Sequence, residues 1–525
     1  MEIPEAVIKY YQVALDKLLP VIQKNTKKTY IGAAIALITL QRIYSFFRVP
    51  KQLKHITKIP YFPMVKSYYY REPPYSRFNR IILPAIGKTN GLYVSKIPFD
   101  WTVFITSPTA AKQILMKADA NPKSHDFMDI LGPNTPIVRF LGRDNVAFAN
   151  GHTWKNQRKI MNPAFHRSMP VKTMASVMPT LFSYIEKENG TIPVSPTMRD
   201  FTLELLGLSI FGFEFKAMTG DPENWTSTYE SVNKGLFDPL LNIMGSFSFL
   251  LAFSSEKRRQ IDAVTKLNNK LSQLAEKKRK EVQEDFQSDK PEHEKDLVTL
   301  MLEAEQRGEG ITSDEQLRHN IAVFFLAGHE TTAHTLAFCL YNLAKNKNAQ
   351  NKLRQEVIDV LGDEPMDIEP TLEQLKGFKY MDLIIKENLR LNGPVDKLVT
   401  RILKEDVIVD GVFVPKGTTV NIDLFAIHHN PKFWTDADQF IPERFEKGGE
   451  HDDHEGLTWL PFGNGARQCV GMNFSLTEQR LVLAMIVRKY EISVPENSIH
   501  YDHVIIDKVT TKAPDSLEIT FTKRY

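Results

Sequence analysis

The residues of this chain most suited to chemistry surround Cys469, one of only two cysteines among 525 residues. The segment 462–471 reads FGNGARQCVG, a glycine-rich turn that precedes an apolar helical stretch. A thiolate that binds the iron of a macrocycle needs backbone donors around its sulfur, space for the ring and a cation for the ring's carboxylates; Gly463, Gly465, Gly471 and Arg467 suit these needs. A lone cysteine is usually an apolar core residue, so it is the whole pattern that favours a haem-iron ligand.

A second reactive group is centred on Glu330 and Thr331, in the sequence AGHETT (327–332). Ala327 and Gly328 are small enough to let a flat ligand approach the backbone of a helix. An adjacent acid and hydroxyl could relay protons to a bound oxygen species. By itself the motif is weak, because a helical threonine commonly bonds the carbonyl one turn back.

Two further pairs have helical spacing. Trp154 and Arg158 lie four residues apart, so an indole donor and a guanidinium share one helix face and could both reach carboxylates. Glu387 and Arg390 lie three apart and also share a face, although exposed pairs of this kind contribute only tenths of a kcal/mol.

A zinc site at His329 and His334 is an alternative, since His329-Glu330 resembles the beginning of a zinc-protease motif. Zinc-binding histidines four residues apart project within about 40° of each other on a helix, whereas these two, five apart, diverge by about 140°. The spacing therefore argues against a shared metal.

These segments together resemble the cytochrome P450 family. The haem-binding pattern F-x-x-G-x-R-x-C-x-G is matched at every fixed position of 462–471, and A-G-x-E-T is matched at 327–331. W-x-x-x-R is matched at 154–158, and E-x-x-R at 387–390 is followed by P-x-R-F at 442–445. The matches occur in the family's order, and the resemblance covers roughly residues 58–525. It implies a mainly α fold, the cytochrome P450 fold, with small peripheral β-sheets.

The resemblance also implies roles for individual residues. Cys469 would be the axial ligand of haem iron, Glu330 and Thr331 would be the catalytic proton-delivery pair, and Glu387, Arg390 and Arg444 would form a buried structural triad. The remaining cofactor-binding residues, most of them donors to the haem propionates, would be Trp154, Arg158, Arg401, Phe462 and Arg467.

The activity implied is that of a haem-thiolate monooxygenase that uses haem b and O2. The chain contains no Rossmann fingerprint or flavin segment, so NADPH would act through a partner, NADPH-cytochrome P450 reductase, with cytochrome b5 as a second candidate donor. Two alternatives stay open: a reductase-independent thiolate-haem isomerase or dehydratase, and a non-enzymatic haem sensor.

The elements that must position these residues are mostly helical. A long helix is predicted from Ser313, whose spacing to Gln316 fits a capping box, to about Lys345. Short strands are predicted late in the chain, at 407–409, 412–414 and 517–521. The segment Leu391–Pro394 lacks the family's more usual double proline, which leaves the path of the chain over the haem open.

The first 50 residues differ from the rest. Residues 30–40 and 43–47 are largely apolar and give about 18 residues, or roughly 27 Å, of helix, and residues 6–22 have the spacing of a helix lying in a membrane interface. We therefore expect an anchor at 1–50, a proline-rich linker at 51–75 and a haem-thiolate catalytic domain at 76–525. A cleaved signal peptide and a helix packed on the domain are the alternatives.

Composition supports a folded protein in a reducing compartment. The chain is 42% hydrophobic and 25% charged, and its net charge of +3 gives no support to nucleic-acid binding. Two cysteines cannot form a disulfide framework. With the anchor, the resemblance implies the endoplasmic reticulum membrane, with the catalytic domain facing the cytosol.

An apolar segment at 236–251, rich in Phe and Met, lies where the family's mobile access lid is expected. Next to a membrane, such a lid suits lipophilic substrates such as steroids, fatty acids, terpenoids or xenobiotics; a plain packed helix pair is the alternative. The sequence also loosely resembles fungal membrane-bound members of the family, some of which hydroxylate steroids, so a steroid is the first candidate.

Overall fold

The computed structural model describes Val13, Asp16 and residues 27–525, except 88, 90, 97–99, 126–127, 130–131, 134, 168, 237–253, 285–290, 310–312 and 507–511. It divides into two compact units, Met1–His55 and Ile56–Tyr525. The predicted lid lies outside the described residues except for Leu236, and so does the predicted interfacial helix at 6–22 except for Val13 and Asp16. Residues 56–75, part of the predicted linker, fall within the second unit.

The first unit contains helix α1 (Lys27–Phe47). The stretch Tyr30–Leu53 is 24 residues long, has a mean hydropathy of 1.3 and is not buried, so it is long and apolar enough to cross a membrane. By length and composition it is the one candidate span in the described part of the chain.

The second unit is mainly helical, and helix accounts for 59% of the described structure. Its α-helices are α2 (Tyr61–Tyr69), α3 (Pro74–Arg77), α4 (Leu83–Ile86), α5 (Pro108–Met116), α6 (Pro136–Leu141), α7 (Gly151–Arg167), α8 (Val171–Ser176), α9 (Met178–Lys187), α10 (Val194–Leu206), α11 (Trp225–Leu236), α12 (Ser255–Glu284), α13 (Leu297–Gln306), α14 (Asp314–Lys345), α15 (Lys347–Leu361), α16 (Leu372–Gly377), α17 (Lys379–Asn392), α18 (Leu424–His429) and α19 (Met472–Lys489). The mainly α fold is confirmed.

The strands in the described part of the chain form three small sheets. They are β1 (Leu92–Lys96), β2 (Trp101–Ile105), β3 (Thr191–Pro193), β4 (Arg401–Ile402), β5 (Val407–Val409), β6 (Val412–Val414), β7 (Thr419–Ile422), β8 (Tyr490–Ser493) and β9 (Glu518–Lys523). The strand orders are β1-β2-β7-β4, β3-β9-β8 and β5-β6. Among the described pairs of strands, only β2–β7 is parallel. The predicted strands at 407–409 and 412–414 are confirmed, and the last strand begins one residue later than predicted.

Helix α14 begins as its capping box predicts. The Ser313 hydroxyl accepts a hydrogen bond from the Gln316 N–H at 3.2 Å, and the Gln316 side chain accepts one from the Ser313 N–H at 3.4 Å. These bonds satisfy N–H groups that a helix start leaves without partners. Neighbours on several sides, α10, α12 and α17 among them, bury most of the helix. The helix therefore crosses the core, where both of its faces can border cavities.

Candidate active site

A cavity of about 340 Å³ lies between α14 and the Cys469 loop (residues 462–471). A single water needs only about 10–15 Å³, so the cavity can hold a large ligand. Every predicted site residue except Glu330 lines it: Trp154, Arg158, Thr331, Arg401, Phe462, Arg467 and Cys469. The fold thus brings together groups that lie far apart in the sequence.

Cys469 faces this cavity. Its side chain lies deep in the protein. It counts as exposed because it is accessible from the cavity. Burial raises the pKa of the Cys469 thiol, while the Gly471 N–H and the charges of Arg158 and Lys123 act to lower it. The net shift is upward, so a bound metal cation is what would hold the sulfur as a thiolate.

The backbone of the Cys469 loop needs glycine at two positions. Gly463 and Gly465 have φ angles of 68° and 70°, the left-handed region that other residues rarely adopt. A Cβ at Gly465 would also lie 2.7 Å from the carbonyl oxygen of Leu115. The turn is closed by a hydrogen bond of 2.9 Å from the Cys469 N–H to the Phe462 carbonyl. These contacts hold the thiol in the cavity wall.

Arg467 stacks on Trp154, with its guanidinium 3.9 Å from the ring centroid. It donates to the carbonyl oxygen of Ala149 at 2.7 Å and to the side-chain oxygen of Asn150 at 2.9 Å. Its Nε is buried and makes no hydrogen bond within the described part of the chain. Burial and the positive charges of its neighbours lower the pKa of Arg467 to about 10. The group therefore has room for an anionic partner.

Two more predicted cations border the same cavity. Arg158 donates to the carbonyl oxygen of Gln468 at 2.8 Å, which ties α7 to the Cys469 loop. Arg401, on the edge strand β4, donates to the carbonyl oxygen of Asn121 at 2.8 Å. Burial lowers the pKa of Arg158 and lowers that of Arg401 to about 10.

Lys123 is a cavity-lining cation that sequence reasoning missed. Its ammonium donates to the Ala147 carbonyl at 2.6 Å, and its backbone pairs with that of Arg401. Burial first, and then the charges of Arg467, Arg401 and Arg158, lower the pKa of Lys123 to about 7. Lys123 belongs to no motif, and its pairing with Arg401 is a contact between distant segments, so no local signal in the sequence indicates it.

Thr331, on α14, carries the hydroxyl that is predicted to deliver protons, and it borders the cavity. It donates to the Ala327 carbonyl, one turn back, at 2.6 Å. Ala327 and Gly328 also line the cavity, but the space at Gly328 is partly used by another helix, because a Cβ there would meet the Leu206 side chain at 2.4 Å. The small residue at 328 thus allows close helix packing as well as ligand approach.

Glu330 borders a second, polar cavity of about 340 Å³. Its carboxylate accepts hydrogen bonds from Lys512, at 2.8 Å, and from the Asn233 amide. Burial acts to raise the pKa of Glu330, but the charge of Lys512 and further polar neighbours outweigh it, so the pKa is lowered. Within the described structure, Glu330 and Thr331 therefore line different cavities.

The two histidines of the rejected zinc site have different partners. His329 donates from Nδ1 to the carbonyl oxygen of Phe325 at 2.6 Å. His334 accepts at Nδ1 from the N–H of Ala513 at 3.3 Å. Both side chains are buried, and each is bound to backbone groups.

The predicted structural triad is confirmed. Arg390 donates from Nε to Glu387 at 2.8 Å, and Arg444 donates from Nε to the other carboxylate oxygen at 3.3 Å. The N–H of Ile441 donates to Glu387 as well, at 3.0 Å. All three charged side chains are almost fully buried. The group joins α17 to the segment that leads to the Cys469 loop.

The whole length of the second unit, apart from its two ends, matches one family model. The model is that of cytochrome P450, and it covers residues 68–511. The chain belongs to the cytochrome P450 family. It is therefore a haem monooxygenase, an oxidoreductase that uses O2 at a haem iron held by a cysteine thiolate.

Curated relatives and solved structures agree with this assignment. Human cytochrome P450 3A5 is 29% identical over 426 residues, which are 77% of this chain and 78% of the relative. Mouse cytochrome P450 3A11 is 26% identical, over 88% of this chain and 90% of the relative. The crystal structure of the cytochrome P450DA heme domain superposes with a TM-score of 0.72 at 22% identity, over 90% of this chain and 97% of that one, which confirms the fold.

The cavity of this P450 fits a haem group on its own chemistry. Four cations, Lys123, Arg158, Arg401 and Arg467, border it, and its described lining residues include no carboxylate. The buried Arg467 Nε has no partner in the described structure, and burial first, then the charges of the neighbouring cations, lower the pKa values of Lys123 and Arg467. Two propionates would relieve both conditions, and Cys469 presents the sulfur ligand in the same space.

Proposed function

We propose that this P450 inserts one oxygen atom from O2 into a lipophilic substrate, usually as a hydroxylation, with electrons from an NADPH-dependent reductase. One observation carries the proposal: the thiol of Cys469 and the hydroxyl of Thr331 border the same largely apolar cavity from two different elements. In this proposal residues 1–50 anchor the chain, 51–75 link, and 76–525 form the catalytic domain.

The residues around the cavity would divide the binding of the cofactor. Cys469 would supply the sulfur ligand of the haem iron, and the N–H of Gly471 would stabilise its negative charge. Phe462 would pack against the ring. The propionates would be held by the indole of Trp154 and by Lys123, Arg158, Arg401 and Arg467. Haem b, when bound, supplies the electron transfer and oxygen activation.

Protons would be handled by the α14 pair. The Thr331 hydroxyl, half-buried in the cavity wall, would donate at its Oγ when it gives up its bond to Ala327. Glu330 would take up protons in the second cavity, where Lys512 holds it as a carboxylate. A change in the Glu330 side-chain rotamer would then carry the carboxylate from the second cavity toward the one that Thr331 borders.

The cavity walls support a lipophilic substrate. Away from the cations, much of the lining is formed by aliphatic and aromatic side chains, among them Phe165, Leu206, Ile210, Val323, Phe324, Val395 and Leu398. Such a wall favours apolar ligands over charged ones. We propose a steroid, fatty acid, terpenoid or xenobiotic, with a steroid as the first candidate.

The electron donor would be NADPH-cytochrome P450 reductase, with cytochrome b5 as an additional partner. The exposed apolar stretch of α1 supports attachment to a membrane. We propose the endoplasmic reticulum membrane, with the catalytic domain facing the cytosol.

One observation favours an alternative. Glu330 faces away from the Cys469 cavity, as it could in a reductase-independent isomerase or dehydratase that needs no proton relay. The Thr331 hydroxyl inside the cavity supports the monooxygenase instead.

The test is a titration of the purified ferric holoprotein with steroids, fatty acids and terpenoids, followed at the haem Soret band. A saturable blue shift with one class, followed by NADPH- and reductase-dependent incorporation of ¹⁸O from ¹⁸O2 into that ligand, is the expected result. A shift accompanied by rearrangement of a lipid hydroperoxide without reductase would establish the isomerase instead. No shift with any class would exclude the lipophilic substrate.

A further inference from the structure

The segment that joins α17 to β4 has two different faces. Val395 and Leu398 border the Cys469 cavity. Asp396 and Lys397, which lie between them in the sequence, are not among the described residues that line it. The apolar side chains of the segment therefore form part of the cavity wall, and its charged side chains lie outside that wall.

The charged face is a four-residue network with no net charge. The Lys397 ammonium lies 3.3 Å from Asp396 and 3.9 Å from Asp423. Arg77 lies 4.0 Å from Asp396. The side chains of Arg77 and Asp423 are 2% and 0% exposed, and those of Lys397 and Asp396 are 18% and 25% exposed. We name this group the Lys397 network.

Lys397 and Asp396 keep their charges despite their burial. Burial alone would lower the pKa of Lys397, but Asp396 and Asp423 together raise it above its ordinary value. Burial would raise the pKa of Asp396, but Lys397 and Arg77 lower it. Buried charges are costly unless they are paired, and here each charge has a partner of the opposite sign.

Asp423 connects the network to rigid elements. Its carboxylate accepts a hydrogen bond from the Tyr93 hydroxyl at 2.7 Å and caps α18 by accepting from the N–H of Ala426 at 3.0 Å. Tyr93 lies on β1 and is fully buried. A Lys397 side chain that is bound to Asp423 is therefore tied to a sheet and to a helix start at once.

The backbone of the segment is held at the same place. The N–H of Leu398 donates to the Ile422 carbonyl at 3.1 Å, and the N–H of Phe425 donates to the Asp396 carbonyl at 3.0 Å. The Asn421 amide donates to the Leu398 carbonyl at 2.7 Å. The side-chain network and these backbone bonds both join the segment to β7 and its end.

We propose that Lys397 is a positioning residue for substrate: by holding Asp396 and Asp423 together, it sets where Val395 and Leu398 stand in the cavity and so determines the fit of a bulky apolar ligand. The substrate part of this inference rests on the proposed function. The inference that the network orders the segment does not depend on it.

The experiment compares Lys397→Met with Lys397→Arg, which keeps the charge. The matched control is Lys295→Met, which breaks another largely buried ion pair, Lys295–Glu303 at 2.8 Å, whose residues do not line the cavity. Three quantities are measured on ferric holoprotein: the dissociation constant of a steroid from the Soret shift, that of imidazole, a small iron ligand, and amide hydrogen exchange of a peptide spanning 393–400.

In Lys397→Met we expect the steroid dissociation constant to rise about tenfold, the low end of what one misplaced apolar contact changes in a pocket. Imidazole binding should change less than about twofold, since that ligand needs only the iron. Exchange of the 393–400 peptide should speed up about tenfold. Lys397→Arg should keep the wild-type steroid affinity and the wild-type exchange rate of the 393–400 peptide. Lys295→Met should change neither.

Unchanged steroid affinity together with unchanged exchange in Lys397→Met would overturn the proposal. If that variant does not fold, the double variant Asp396→Asn/Lys397→Met removes the pair without leaving a net charge. It should show the same weakened binding, and wild-type affinity in it would also overturn the proposal. If the wild-type protein binds no lipophilic ligand, the proposed function fails, and the exchange measurement still decides whether Lys397 orders the segment.

Discussion

The carboxylate of Glu330 accepts a hydrogen bond of 2.8 Å from the ammonium of Lys512, inside a cavity other than the one that Thr331 and Cys469 share. Residues adjacent in a helix point about 100° apart, so Glu330 and Thr331 can serve different faces of α14. An acid that is held in this way keeps its charge, and access to the oxygen site would require its release from Lys512.

Replacing Lys512 with Met should make stability depend differently on pH. In the wild type the lowered pKa of Glu330 means that its contribution is fully present above the ordinary value of 4.5 and is lost as pH falls through the lower folded-state pKa. Without Lys512, burial is no longer outweighed, and the pKa of Glu330 rises.

We expect a loss of about 2 kcal/mol near neutrality, less than the about 3–5 kcal/mol of a fully buried pair because Lys512 is 23% exposed. The loss should shrink in acid. Thermal unfolding across pH measures it, with Lys523→Met, which breaks an exposed pair with Glu186, as the control. A pH-independent loss would contradict the expected change in the pKa of Glu330.

Replacing Cys469 with Ala should remove thiolate ligation, because no other described thiol borders the cavity. The measurement is the absorption spectrum of the reduced, CO-bound protein. Cys339→Ala is the matched control, since Cys339 is buried in α14 and away from the cavity. A thiolate-type spectrum that survives in Cys469→Ala would mean that another group is the ligand.

Thr331→Ala should lower product formed per NADPH by about tenfold and raise peroxide release, in the presence of reductase. The loss is smaller than the about hundredfold that a fixed proton donor can provide, because water can enter the vacated space. Thr477→Ala removes a similar bond, from Thr477 to the Asn473 carbonyl at 2.8 Å, outside the cavity. Equal coupling in both variants would speak against a role of Thr331 in proton delivery.

Lys123→Met should weaken haem retention about tenfold or more, since a hydrogen bond to a charged group contributes about 1.5–3 kcal/mol. Transfer of haem to apomyoglobin measures the rate of loss. Lys155→Met serves as the control, because Lys155 is 59% exposed and pairs with Asp119 at the surface. If the two variants lose haem at the same rate as the wild type, Lys123 does not bind a propionate.

Glu387→Ala should destabilise the protein by about 3–5 kcal/mol, because it leaves Arg390 and Arg444 buried without their shared carboxylate. Asp382→Ala, which breaks the more exposed pair with Arg480, should cost about 1 kcal/mol or less. Denaturant unfolding compares the two. Similar losses of unfolding free energy in the two variants would show that burial does not determine how much the triad stabilises the protein.

The sequence predicted the elements whose signals are local. The capping box at Ser313 and Gln316 and the short strands at 407–409 and 412–414 depend on neighbouring residues, and the structure contains them as predicted. The triad of Glu387, Arg390 and Arg444 was predicted from two motifs whose joint occurrence implied a contact.

The family and the spacing of the groups around Cys469 follow from the amino-acid sequence, because a glycine-rich turn and helical repeats are short-range properties. Tertiary structure alone decided that Glu330 faces Lys512, that Lys123 joins the cavity cations and that Lys397 meets Asp423 behind the cavity wall. The reason is physical: helical periodicity tells which residues share a face, whereas the group that each face meets depends on the packing of distant segments.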